Sequence, residues 1–136
     1  MHRARRRHES AAVMSVKKVL VVDDSPTERY MLSDLLTRQG YEVLTADDGE
    51  TAIAAAKLEL PDLILMDVVM PGINGYQATR QLMRDAATRH IPVIMCTSKN
   101  QETDKHWGMR QGARDYLVKP LDQAALLTRI AALDHS

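Results

Sequence analysis

The sequence predicts an α/β protein in which a parallel five-stranded sheet carries helices on both faces. Three observations support this. Short apolar runs recur at VLVV (19–22), LILM (63–66) and VIMC (93–96), with YEVLTA (41–46) and DYLV (115–118) as two further strands. A stretch with helical spacing of apolar residues follows each of the five. Strands that are apolar throughout and alternate with helices belong to parallel sheets covered on two sides, because each crossover lays its helix back on the sheet.

Each element has local support. Ser25-Pro26-Thr27-Glu28 starts the first helix: Ser25 is the N-cap, Pro26 takes the first helical position, and Glu28 closes a capping box. Met31, Leu32, Leu35 and Leu36 form its inward face, and Gly40 stops it. YEVLTA alternates as a strand with one partly exposed face does. Asp48-Gly49 leads into a second helix through Ala52, Ile53, Ala56 and Lys57, broken at Pro61-Asp62. After LILM, Asn74 caps a helix over Tyr76 to Met83. Ile91-Pro92 introduces VIMC, Thr97 to Asn100 form a loop, and Gln101 to Gln111 form a helix stopped by Gly112. Beyond DYLV, Lys119-Pro120 is a turn. Asp122 then caps a last helix with Leu126, Leu127, Ile130 and Leu133 inward.

The totals narrow the function. The 136 residues suit one domain, read here as 17–134 after an N-terminal extension over 1–16. With the last helix near the end of the chain, no appended output domain is expected. Lys plus Arg and Asp plus Glu are 18 each, so no overall charge draws the chain to nucleic acid or anionic membrane. The first 14 residues carry Arg3, Arg5, Arg6 and Arg7 against Glu9, which leaves the rest at a formal −3. A basic arm for nucleic acid or lipid is one reading. With no aromatic or periodic residues among the arginines, a disordered tail, or a true start at Met14-Ser15, is preferred. AAVMSV is too short and too weakly apolar for a signal peptide. No run approaches the roughly 20 apolar residues of a membrane helix. The single cysteine, Cys96, lies in VIMC and reads as an inert core thiol, in keeping with a reducing cytoplasm.

The stretch LILMDVVMPGING delivers a carboxylate, Asp67, from an apolar strand into a turn. A carboxylate is costly to desolvate and is rarely placed there without company. In a doubly wound sheet, ligands bind beyond the carboxyl ends of the strands. Asp23 and Asp24 end the first strand, Asp67 the third, Thr97 the fourth and Lys119 the fifth, so all five converge on one edge. Three neighbouring carboxylates repel one another, and a hard divalent cation removes the conflict. Mg²⁺ suits oxygen ligands, keeps several waters and leaves a position for a phosphoryl oxygen. A carboxylate beside it can attack phosphorus to give an acyl phosphate, with Lys119 supplying positive charge and Thr97 a hydroxyl.

DDS at 23–25, MDVVMPGINGY at 66–76, TS at 97–98 and YLVKP at 116–120 resemble the receiver domain of two-component response regulators, over residues 17 to 133. The resemblance implies a flavodoxin-like (βα)5 fold with strand order 2-1-3-4-5. It implies Asp67 as phosphoacceptor, with Mg²⁺ held by Asp24, Asp67 and the backbone carbonyl of Val69, and Asp23 acting mostly through water. Lys119 would pair with the phosphoryl group through a cis Lys-Pro turn. Thr97 and Tyr116 would form a switch in which the hydroxyl moves to the phosphate and the ring turns inward. Such a protein promotes its own phosphotransfer and dephosphorylation and is not an enzyme for free substrates; Val69 stands where an aspartate-based phosphatase would carry its second acid. Val69 and Lys99 occupy the positions that tune phosphoryl lifetime in the family.

SPTE at 25–28, GYQATRQL at 75–82 and QETDKHWGMRQGARDYLVKP at 101–120 are similar to stand-alone receivers of chemotaxis-like systems that control type IV pili and twitching motility. That likeness implies a chemotaxis-type histidine kinase as donor and a downstream pilus or motility protein. It implies an output surface on the fourth helix, fifth strand and fifth helix, which could also form a homodimer, with Trp107 on or under it. A phosphate sink for the kinase, or a non-phosphorylated scaffold, are the alternatives.

Overall fold

The computed structural model describes residues 15–134. The elements run β1 (Lys18–Val22), α1 (Pro26–Arg38), β2 (Glu42–Ala46), α2 (Gly49–Glu59), β3 (Leu63–Met66), α3 (Gly75–Arg84), β4 (Val93–Thr97), α4 (Glu102–Arg110), β5 (Asp115–Val118) and α5 (Gln123–Leu133). All four strand pairs are parallel, and the sheet order is β2-β1-β3-β4-β5. The fold is therefore the flavodoxin-like one expected. Its central strands are fully buried along their length in β3 and β4, which is why they read as unbroken apolar runs.

Alternation along the strands divides the core into two layers. Leu20, Val22, Ile64, Met66, Val93 and Met95 point to one face and pack with Ala52, Ala56, Ala78 and Leu82 of α2 and α3. Val19, Val21, Leu63, Leu65, Ile94 and Cys96 point to the other and pack with Leu32, Leu36, Leu126, Ile130 and Leu133 of α1 and α5. The order of β1 and β3 puts the topological switch between them. The loops after these two strands therefore face each other across one crevice.

The caps follow sequence chemistry with one exception. Ser25, Asp48, Asn74 and Asp122 each accept a hydrogen bond from the backbone three residues on, and Asn74 with Gln77 forms a reciprocal capping box. The capping box expected at Ser25 is only half formed. Asp23 Oδ1 accepts the Ser25 N–H at 2.9 Å, and the Glu28 carboxylate lies instead 3.7 Å from Lys119 Nζ. Met31, expected inward, is 51% exposed, whereas Leu32 and Leu36 are buried. The Lys119–Pro120 bond is cis, as expected.

Of the expected extension over 1–16, residues 1–14 lie outside the described residues, and the packed unit begins earlier than position 17. Val16 is inside the packed unit: its side chain is buried and its N–H donates to Asp134 Oδ1 at 2.7 Å. Among the described residues no helix is long and apolar enough to cross a membrane.

Candidate functional site

Asp67 is the first residue past β3, and two backbone bonds hold it at the strand end. Its N–H donates to Val22 O at 3.0 Å, which continues the sheet register by one residue. Its Oδ1 accepts the Val68 N–H at 2.7 Å. Asp23 is placed in the same way beyond β1, its N–H donating to Ala46 O at 3.1 Å. Both side chains are buried, whereas the neighbouring Asp24 is exposed. Carboxylate oxygens of Asp23, Asp24 and Asp67 lie within 4.8 Å of one another.

Lys119 reaches across from the end of β5. Its Nζ donates to Asp23 Oδ2 at 2.6 Å and to Asp67 Oδ2 at 3.2 Å, with Glu28 at 3.7 Å completing an acidic ring. Burial works against the ammonium, but the hydrogen bonds and charges of Asp23 and Asp67 outweigh it and raise the Lys119 pKa. At Asp67, burial raises the pKa above the ordinary carboxylate value. The charge of Lys119 lowers it, Asp23 raises it, and hydrogen bonds from Lys119 and Thr97 lower it without cancelling the effect of burial. One cation thus shares three acids, so this pocket retains unbalanced negative charge.

Those residues fit a hard divalent ion. Two buried carboxylates and one exposed one offer oxygen ligands with access to water, and no backbone donor among the described residues takes the Val69 carbonyl. Val69 itself is 54% exposed, so its side chain neither covers the site nor offers a polar group to it.

Thr97, at the end of β4, is fully buried, and its Oγ1 accepts the Lys99 N–H at 3.4 Å. From Lys99 a polar connection continues outward. The Lys99 carbonyl accepts the Tyr116 hydroxyl at 2.8 Å, which lies 3.5 Å from the Tyr76 hydroxyl. Tyr76 donates in turn to the Asp104 carbonyl in α4 at 3.1 Å. The Tyr116 ring is already turned inward, and burial, then the Tyr76 hydroxyl, pushes its phenol well above its ordinary pKa.

The structure thus brings together Asp23, Asp24, Asp67, Thr97 and Lys119, with Val69 and Tyr116 beside them. Trp107 does not join them: it is half exposed on α4 and lines a trough against α3. Three contributors escape a sequence reading. Glu28 looks like a capping residue but faces Lys119. Tyr76 looks like an ordinary core aromatic but bridges α3 and α4. Gly75 looks like a turn residue; in fact a Cβ there would stand 2.1 Å from the Asp67 carbonyl oxygen and 2.9 Å from Val68 Cα. The N–G dipeptide was the visible signal for Gly75, but a close backbone approach has no sequence mark of its own.

The doubly wound sheet thus gathers acids, a hydroxyl and a lysine beyond its carboxyl edge, where sheets of this kind bind ligands. The chain belongs to the response regulator receiver domain family, whose model matches residues 19–131. It is 58% identical over 116 residues to protein PilH of Pseudomonas aeruginosa, a match spanning 85% of this chain and 96% of PilH. Among solved structures, chemotaxis response regulator CheY4 of Vibrio cholerae superposes with a TM-score of 0.81 at 35% identity, covering 88% of this chain and 99% of that one. The receiver domain of sensor histidine kinase PA1611 of Pseudomonas aeruginosa, which has a magnesium ion coordinated in its active-site cleft, gives a TM-score of 0.80 at 30% identity, covering 88% and 98%.

Proposed function

We propose that this protein is the phosphoacceptor of a two-component phosphorelay in a chemotaxis-like system that controls type IV pilus twitching motility. A chemotaxis-type histidine kinase donates a phosphoryl group, Asp67 accepts it, and the changed surface alters the choice of a pilus or motility partner. The observation that carries the reading is the cluster of Asp23, Asp24 and Asp67 with Lys119 Nζ bridging two of the three. The similarity to PilH supports the motility setting. A cytoplasmic location goes with a kinase donor and with a single buried thiol.

Each residue has a derivable task. Val68 N–H fixes one Asp67 oxygen, which sets the carboxylate plane. An Asp67 oxygen attacks phosphorus, the donor's phosphorus–nitrogen bond breaks, and its electron pair leaves with the histidine nitrogen. Lys119 lies within reach of Asp67 Oδ2 and neutralises charge on a transferring oxygen. The Thr97 hydroxyl donates to another. Asp23, Asp24, Asp67 and the Val69 carbonyl would hold Mg²⁺, which when bound neutralises phosphoryl oxygens. As Thr97 turns toward the phosphoryl group, its contact with Lys99 N–H loosens. The Lys99–Tyr116–Tyr76 connection carries that change to α3 and α4.

The test is single-turnover phosphotransfer from a purified chemotaxis-type kinase already phosphorylated on histidine. The label should leave the kinase and appear on the wild type, but not on Asp67→Asn. Equal transfer to both proteins would overturn the assignment.

A further inference from the structure

A trough of about 410 Å³ runs between α3 and α4, lined by Arg80, Met83, Arg84, Trp107, Arg110 and Gln111. Three guanidinium groups line it and no carboxylate does. None of the three arginines pairs with an acid among the described residues, although Arg38 and Arg129 elsewhere do. Arg84 and Arg110 end their helices, where a cation suits the helix dipole. That accounts for neither Arg80, inside α3, nor Trp107, left 48% exposed between the arginines. Burying an indole is favourable, and an exposed one flanked by arginines has the composition of a protein interface centre.

The geometry also selects the partner. The arginines and Trp107 are exposed and only Met83 and Gln111 are half-buried, so the trough is an open surface and does not enclose a small ligand. Arg80 and Arg84 lie one turn apart on α3, and Trp107 and Arg110 nearly one turn apart on α4. Cations spaced by helical turns match carboxylates spaced the same way. We infer that the α3–α4 trough docks an acidic amphipathic helix of a partner protein, its glutamates or aspartates on the arginines and an apolar side chain on Trp107 and Met83. The trough adjoins the switch: Gly108, next to Trp107, is packed so that a Cβ would lie 3.0 Å from the Tyr116 ring and 3.4 Å from that of Tyr76.

Trp107 is the only tryptophan in the chain, so its fluorescence reports on the trough directly. The probe is a synthetic peptide of about 15 residues, long enough to form helix, with glutamates at i, i+4 and leucines on the adjoining face. A saturable shift in Trp107 emission is expected, weakened by salt and lost with a glutamine-for-glutamate peptide. Arg80→Glu with Arg84→Glu should weaken binding about tenfold or more, as reversal of close interfacial charges does. Arg80→Gln with Arg110→Gln should weaken it less. Both variants should keep wild-type circular dichroism and phosphorylation from acetyl phosphate. No saturable shift, equal binding of the glutamine peptide, or equal binding by the charge-reversed variant would overturn the proposal. So would arginine-dependent binding of a nucleotide such as GTP in place of the peptide.

Discussion

Lys119 serves two carboxylates at once, so its removal should affect stability in a way that depends on pH. Burial holds Asp67 above its ordinary pKa of 3.8, so the folded state favours its protonated form. The stability this contributes is complete below that ordinary value and is lost as pH rises through the raised one. Lys119→Ala removes the strongest influence lowering the Asp67 pKa and leaves Asp23 facing Asp67 without a cation. We expect a loss of about 1–3 kcal/mol near neutral pH, less than for a fully buried broken pair because the site opens to water. The loss should shrink near pH 4.5 and be partly offset by Mg²⁺, which the acidic cluster should still bind. Urea unfolding at the two pH values, with and without Mg²⁺, measures this; equal losses at both would contradict the charge argument.

The elements were legible where one local force decided them, and less so where two competed. β3 and β4 are buried on both faces, so their runs identified them. Ser25, Asn74 and Asp122 began their helices as read, because a cap is a bond within three residues. Met31 was misplaced because helical spacing gives a face but not how far the neighbouring helix extends over it; it lies at the rim of a groove between α1 and α5. Glu28 was misassigned because a lysine 91 positions away, invisible to local pattern, competes for its carboxylate. The five residues at the sheet edge were legible because parallel strands must deliver their ends together. Gly75 was not, since its constraint is contact with the Asp67 backbone from across a loop. Gly75→Ala should cost about 1–3 kcal/mol by overpacking and also slow phosphorylation of Asp67. Gly40→Ala, at φ 95° in open space, should cost about 1 kcal/mol in backbone strain and leave phosphorylation unchanged. If Gly75→Ala matched Gly40→Ala in both measurements, the loop would not be setting the Asp67 position.

At the scale of the whole molecule, Cys96 reports on the fold. It is buried in the α1–α5 layer of the core, and burial pushes its thiol pKa up to about 12. A thiol reagent should therefore label it only through global unfolding. Mg²⁺ at about a hundred times its dissociation constant should slow labelling about a hundredfold, because an ion bound only by the folded state stabilises it by about 2.7 kcal/mol. Asp67→Asn should blunt that protection, and labelling that ignores Mg²⁺ would separate the acidic cluster from metal binding. In the proposed function the fold presents Asp67 to a phosphoryl donor. The most direct test is intact mass after incubation with acetyl phosphate, with and without Mg²⁺, on the wild type and on Asp67→Asn. That role requires one phosphoryl adduct on the wild type, dependent on Mg²⁺ and absent from the variant. An adduct that persists in Asp67→Asn, or a wild type left unmodified while its Mg²⁺ site is filled, would contradict it.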